Sequence, residues 1–265
     1  MNNIQKNAER FKGFADIYDR ARPSVPLYPV RVILRYLGNM PETVVDLGSG
    51  TGLSTVIWRD YASQIIGIEP SGDMRAAAQT KADDKVSFRE GYGNATGLPD
   101  GCADAVVCSQ SFHWMEPVST LKEVDRILKN GGVFATIDCE WPPVASWEAE
   151  KAYMDLYGKV KKLEKELPDV ADTFTRYDKD KHLENIKKSG YFRYTRELLF
   201  ANTEKCDARR LIDLVLSQGS TQTVLRLHPD KIVEDIRKFE EKVTDLLGDT
   251  EFTVDFSYKM RIGVK

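Results

Sequence analysis

The stretch VVDLGSGTGLS, Val44 to Ser54, decides how this chain is read. A short β-branched run carries Asp46 near its end, and Gly48, Gly50 and Gly52 follow, separated by small residues. Glycine has no Cβ, so a turn this bare lets a ligand approach the backbone, and a following helix adds free N–H groups. A dinucleotide loop of the G-x-G-x-x-G kind would need glycine at Leu53 or Thr55, and a phosphate-binding P-loop would need a lysine nearby. Neither is present. The pattern is D-x-G-x-G-x-G. Asp46 would repel a pyrophosphate and suits a ligand that carries an ammonium or sulfonium charge.

Working outward, strand and helix signals alternate. TVVDL reads as a buried strand and STVIWRDYA as the helix behind it. QIIGIE, VSFREG, ADAVVCS and VFATIDC read as further strands. SGDMRAAAQTKA reads as a helix with Ser71 as its N-cap, and VSTLKEVDRILKNGG as a helix with a glycine stop. Upstream lie a helical lead-in from Ile4 to Pro23 and a helix from Val30 to Leu37. Past Glu140 the alternation ends. SWEAEKAYMDLYGKVKKLEKELP is one long helix, with Tyr153, Leu156, Tyr157, Val160, Leu163 and Leu167 on one stripe. A short helix from His182 to Ser189 precedes the alternating run YFRYTRELLFANTE. Two more helices, about Asp207–Ser217 and Asp230–Leu247, precede a final strand in FTVDFSYKMRIGVK.

The expected fold class is α/β: a Rossmann-like, mostly parallel seven-stranded sheet with helices on both faces, plus a helical cap. The whole chain, 1–265, reads as one domain. Its core takes 30–140, 191–204 and 250–265, and its cap takes 141–190 and 205–249.

Net charge is -3 over 265 residues, which provides no global attraction to nucleic acid or to an anionic membrane. No apolar run approaches the ~20 residues that span a bilayer. The polar N-terminus lacks the apolar centre of a secretion signal, which predicts a cytoplasmic protein. Cys102, Cys108, Cys139 and Cys206 form no C-x-x-C pair, so we expect small buried residues and neither zinc nor disulfides.

The glycine stretch resembles the first motif of the S-adenosylmethionine-dependent methyltransferases with a Rossmann-like fold, and further motifs follow in order. IIGIEPSGDM places Glu69 where the family's acid binds the ribose hydroxyls, with Pro70 beside it and Met74 where a methionine lies against adenine. GYGNATGLP resembles the family's G-D-A and L-P stretch, with Asn94 in place of the commoner aspartate and the Ala95 N–H offered to the ring. CSQSFHWM, after the fourth strand, resembles the type 11 small-molecule methyltransferases, the group that includes trans-aconitate methyltransferase. The lead-in YDRARPSVPLYP is similar to that group's at Tyr18, Arg22 and Pro23, and departs from it at Val25.

The resemblance implies a cofactor, S-adenosylmethionine, held by Asp46, Gly48, Ser49, Gly50, Glu69, Pro70, Met74, Asn94, Ala95 and Ser109. It implies a small-molecule acceptor near Tyr18, Arg22, Trp114 and Trp141, and a catalytic position at His113. His113 reads as a base, as an acceptor-contacting group or as a structural residue; a base is needed only when the acceptor atom carries a proton. His182 is expected to face solvent, and the charges of GKVKKLEKELP to form a solvated helix face. The D/N/S-P-P-Y/F motif of base-modifying enzymes is absent after the fourth strand, so no nucleic-acid partner is expected. Two other readings stay open: a NAD-dependent oxidoreductase and a non-catalytic S-adenosylmethionine-binding protein.

Overall fold

The computed structural model describes Ile17 and residues 20–265. After helix α1 (Tyr28–Leu37) come β1 (Thr43–Leu47), β2 (Gln64–Ile68), α2 (Gly72–Gln79), β3 (Val86–Arg89), β4 (Ala103–Ser109), α3 (Pro117–Ile127) and β5 (Leu128–Cys139). The second half holds α4 (Trp147–Glu166), α5 (Pro168–Ala171), α6 (His182–Ser189), β6 (Tyr194–Cys206), α7 (Ala208–Leu216), α8 (Gly219–Leu227), α9 (Val233–Leu247) and β7 (Phe252–Val264). Among the described residues no helix is long and apolar enough to cross a membrane.

The strands form one seven-stranded sheet in the order β3-β2-β1-β4-β5-β7-β6. β1 to β5 pair in parallel, and β7 runs antiparallel between β5 and β6. This is the Rossmann-like α/β sheet expected from the strand–helix alternation. β1 shows why a parallel sheet needs cover on both faces. Val44 points into one apolar cluster with Ile65, Val107 and the helices α1, α4, α7 and α9. Val45 and Leu47 point into a second cluster with Val106, Phe134 and helix α3.

Local expectations fail in four places. STVIWRDYA forms turns and one 3-10 turn, Val56–Trp58, not an α-helix. Its backbone bonds are mostly short-range, such as Thr55 N–H to Gly52 O and Trp58 N–H to Thr55 O. The Asp46 carboxylate explains part of this, because it accepts from the Ser54 hydroxyl at 2.6 Å and the Thr55 hydroxyl at 2.7 Å and draws the segment back under the loop. The glycines of LKNGG do not stop α3, which ends at Ile127. They form a bulge in β5, where the register with β4 shifts between Ala103 and Ala105 and Gly131 takes φ +82°. Helix α8 was not anticipated. Helix α6, assigned to the cap by position, packs on α3 and the β6–β7 pair, with Ile186 in the second cluster.

The cap helices α4, α7, α8 and α9 pack on each other. They share the first apolar cluster with the sheet, so Leu156, Leu211 and Phe239 are continuous with Val44 and Ile137. The charged run on α4 is not wholly solvated. Glu164 is buried, accepts from the Ser220 hydroxyl at 2.6 Å, and pairs with Lys161. The cysteines are free, and all but Cys102 are buried.

Candidate active site

The strand order reverses between β1 and β4, and the C-terminal ends of β1, β2, β4 and β5 open there into a cavity of about 1240 Å³ including its mouth. This is the crevice where open parallel sheets bind ligands. Its floor is the glycine loop. Gly48 takes φ +67°, and a Cβ there would lie 2.6 Å from the Ser111 Cβ, so the loop can pass β4 only as glycine. The Gly48 and Ser49 N–H groups donate to the Ile68 carbonyl at 2.8 and 3.2 Å, which ties the loop to the end of β2.

Glu69 follows directly. One carboxylate oxygen accepts from Gly50 N–H at 2.9 Å and the other from Ser71 N–H at 2.8 Å. Burial pushes its carboxyl up from the ordinary range, against those two hydrogen bonds. Ser71 thus meets Glu69 through its backbone and makes no side-chain cap on α2. Met74, buried on α2, lines the cavity with Gly48, Ser49, Gly50, Glu69, Pro70, Asn94 and Ser109. The expected acceptor residues Arg22, Trp114 and Trp141 line it too.

Several expectations change. Asp46 is fully buried and does not line the cavity; it anchors the loop through Ser54 and Thr55, and burial raises its carboxyl to about 6. Ala95 does not line it either, because its N–H is already donated to the Tyr92 carbonyl at 2.9 Å in a tight turn. Tyr18 lies outside the described residues. His113 faces a second, adjoining cavity, which shares Arg22, Gln110, Trp114, Cys139 and Trp141 with the first.

The second cavity is walled by aromatic and charged groups, among them Tyr157, Arg176, Tyr177 and Lys179. Behind it sits Asp138, near the end of β5 and 1% exposed. Its carboxylate accepts from Arg261 Nη1 at 2.9 Å and from His182 Nδ1 at 3.1 Å, and it pairs with Lys179 Nζ at 3.2 Å. His113 Nδ1 lies 3.7 Å away. Burial alone would raise Asp138, but Lys179 and the two histidines hold it well below the ordinary carboxylate range. Burial and then the Lys179 ammonium push His113 down to about 3, against the pull of Asp138, so the imidazole is neutral near pH 7 and the contact is not an ion pair. His182 is fully buried, contrary to the solvent-facing expectation; it sits edge-on to Phe112.

Sequence reasoning also missed Gln110. Among the described residues it is the one non-glycine residue with positive φ, +55°. It lines both cavities, and its Oε1 accepts from Lys179 Nζ at 2.9 Å. No local signal marks a glutamine for this. Tyr92 and Met115, which line the first cavity, sit inside quoted motifs without a distinguishing pattern. A Cβ on Gly93 would lie 2.5 Å from the Met115 sulfur, so these walls are closely fitted.

Residues 45–136 match the family model described as a methyltransferase domain. That segment is similar to methyltransferase domains. It contains the glycine loop, Glu69, Asn94 and His113, and its end reaches into β5. Over 124 residues the chain is 30% identical to a probable S-adenosylmethionine-dependent methyltransferase of Saccharomyces cerevisiae, CRG1, covering 44% of this chain and 43% of that protein. Over 117 residues it is 32% identical to the uncharacterized methyltransferase Rv3342 of Mycobacterium tuberculosis, covering 43% of this chain and 46% of that protein. The matches span less than half the length of these relatives. The fold resembles a solved structure of a candidate type II methyltransferase from Anaeromyxobacter dehalogenans, with a TM-score of 0.66 over 92% of this chain and 97% of that one. At 18% identity this likeness is one of fold. The matched segment thus supplies most of the first cavity's lining, whereas most of the second cavity's wall comes from residues after it.

Proposed function

We propose that this chain binds S-adenosylmethionine in the first cavity and methylates a small molecule held in the second. The observation that carries the reading is the buried Glu69 carboxylate, facing the glycine loop at the switch point of the sheet. Its oxygens accept hydrogen bonds and can take two from a sugar diol. Met74, Pro70 and Asn94, which line the same cavity, supply apolar surface and an amide for a base. Asp46 acts at one remove by holding the loop.

When bound, the cofactor supplies a methyl carbon on a sulfonium sulfur, which an acceptor atom takes in line as the carbon–sulfur bond breaks. The chain's residues orient the partners. Trp114 and Trp141 line both cavities, and aromatic faces attract a cationic sulfonium. The Arg22 guanidinium lies 4.9 Å over the Trp141 ring and donates to the Ser217 carbonyl, which ties the N-terminal segment to the cap at the shared wall. His113, neutral, serves the acceptor as a hydrogen-bonding group and not as a standing base. Positioning of this kind can be worth roughly 7–11 kcal/mol in well-oriented reactions. The Phe112-His113-Trp114 turn supports a place among type 11 enzymes of the trans-aconitate methyltransferase kind. The second cavity and the net charge of -3 favour a small molecule over nucleic acid or membrane. The free cysteines suit a reducing, cytoplasmic setting.

Calorimetric titration with S-adenosylmethionine, S-adenosylhomocysteine and NAD tests the first step. The first two should bind and NAD should not; NAD binding alone would return the oxidoreductase reading. Incubation with a metabolite extract should then release S-adenosylhomocysteine, and binding without release would point to a non-catalytic binder.

A further inference from the structure

Gln110 lies at the boundary between the two cavities and lines both. Its backbone sits at φ +55°, a left-handed conformation that glycine takes without strain and glutamine rarely adopts. The turn is pinned on either side. The Gln110 N–H donates to the Ile137 carbonyl at 2.8 Å, and the Ser111 hydroxyl donates to the Leu47 carbonyl at 2.6 Å. The side chain is pinned too, because Lys179 Nζ lies 2.9 Å from its Oε1 and 3.2 Å from the Asp138 carboxylate. An ammonium only donates, so the carboxamide oxygen faces it and the amide nitrogen does not. That nitrogen, Nε2, is buried and has no hydrogen-bond partner among the described residues. A buried N–H left without an acceptor costs more than a typical hydrogen bond contributes, so such a donor calls for an explanation.

We propose that Gln110 Nε2 donates to an oxygen of the methyl acceptor and so fixes that molecule where the two cavities meet. The inference rests on the two-cavity function argued above and adds to it a contact and a chemical requirement. Lys179 lines the second cavity and not the first, so the carboxamide is tied to the acceptor side of the boundary. A sulfonium or an ammonium is a cation and gives an N–H donor nothing to bind. A carbonyl, carboxylate or hydroxyl oxygen has the lone pair required. The molecule in the second cavity therefore presents an oxygen at this contact. Gln110 binds it directly, and Lys179 acts through Gln110 as a positioning residue. The strained turn fits the same role, since glycine would relieve it and remove the donor.

Release of S-adenosylhomocysteine from S-adenosylmethionine, measured over a dilution series of one protein-free metabolite extract, tests this. Gln110→Glu keeps an oxygen for Lys179 and replaces the N–H groups, whereas Gln110→Gly accepts φ +55° without strain and removes the side chain. Both should raise the half-saturating extract concentration at least about tenfold, while the calorimetric affinity for S-adenosylmethionine stays within about twofold of wild type. Circular dichroism and thermal unfolding verify that each variant is folded. Wild-type half-saturation in Gln110→Glu overturns the proposal, because the side chain then only clamps Lys179. Wild-type half-saturation in Gln110→Gly overturns it equally, and so does a loss of S-adenosylmethionine affinity in place of acceptor affinity. A wild-type protein that binds no S-adenosylmethionine, or binds it without turnover, fails at the two-cavity function itself, and this contact falls with it.

Discussion

Glu69 and Asp46 lie close together in the sequence and do different work. Glu69 holds the Gly50 and Ser71 N–H groups inside the cavity, whereas Asp46 is sealed beneath it. Glu69→Ala should weaken S-adenosylmethionine binding by about 100-fold, the scale of two hydrogen bonds to a charged group, with the fold retained. Unchanged affinity in a calorimetric titration would remove Glu69 from the site. Asp46 makes a prediction about stability. Its folded value, about 6, is above its ordinary 3.8, so its contribution is complete below 3.8 and is lost as pH rises through about 6. The loss is on the order of 3 kcal/mol. Asp46→Asn keeps an oxygen for the Ser54 and Thr55 hydroxyls and should flatten that part of the pH–stability curve. Urea unfolding of both proteins from acid to neutral pH would show it. His113 runs the other way: its contribution is complete above 6.5 and is lost as pH falls toward about 3. Its imidazole resonances should therefore not titrate near neutrality, and a turnover limb near 6.5 that disappears in His113→Asn would contradict the assignment.

At the scale of elements, the site depends on how closely loops pass strands. Gly48→Ala would force a Cβ to 2.6 Å from Ser111 in a left-handed backbone conformation, and should cost at least about 1–3 kcal/mol while distorting the cofactor floor. Thermal unfolding and cofactor affinity should fall together; loss of neither would show that the loop has room. The Asp138 cluster joins β5, β7, α6 and the segment carrying Lys179. Arg261→Met leaves two carboxylates, those of Asp138 and Glu197, short of a buried cation and should destabilise the fold by about 3–5 kcal/mol in urea unfolding.

For the whole molecule, β7 is the closing piece. It is last in the described chain order yet lies between β5 and β6, and its residues Phe256, Met260 and Ile262 fill the first cluster. Deleting residues 252–265 should abolish cooperative unfolding, because β6 would lose the strand it pairs with and the first cluster would lose Phe256, Met260 and Ile262. A cooperative transition in the shortened chain would show that β1 to β5 are a self-sufficient core.

The glycine loop, the strand alternation and Glu69 were legible in the linear chain because each rests on local chemistry: missing Cβ atoms, β-branched runs and an acid at a strand end. So were most helices of the cap, whose apolar stripes follow helical spacing. The segment after the loop was not, because the Ser54 and Thr55 hydroxyls donate to Asp46, eight and nine residues back, and this competes with its helical pattern. The same holds for the neutral state of His113, the burial of His182 and the left-handed turn at Gln110. Each depends on Asp138 or Lys179, which are distant in sequence and meet only when β5 and the segment before α6 are folded against each other. The floor of the first cavity was written in consecutive residues; the wall of the second was set by tertiary contact, because burial and opposing charge exist only once the chain has closed.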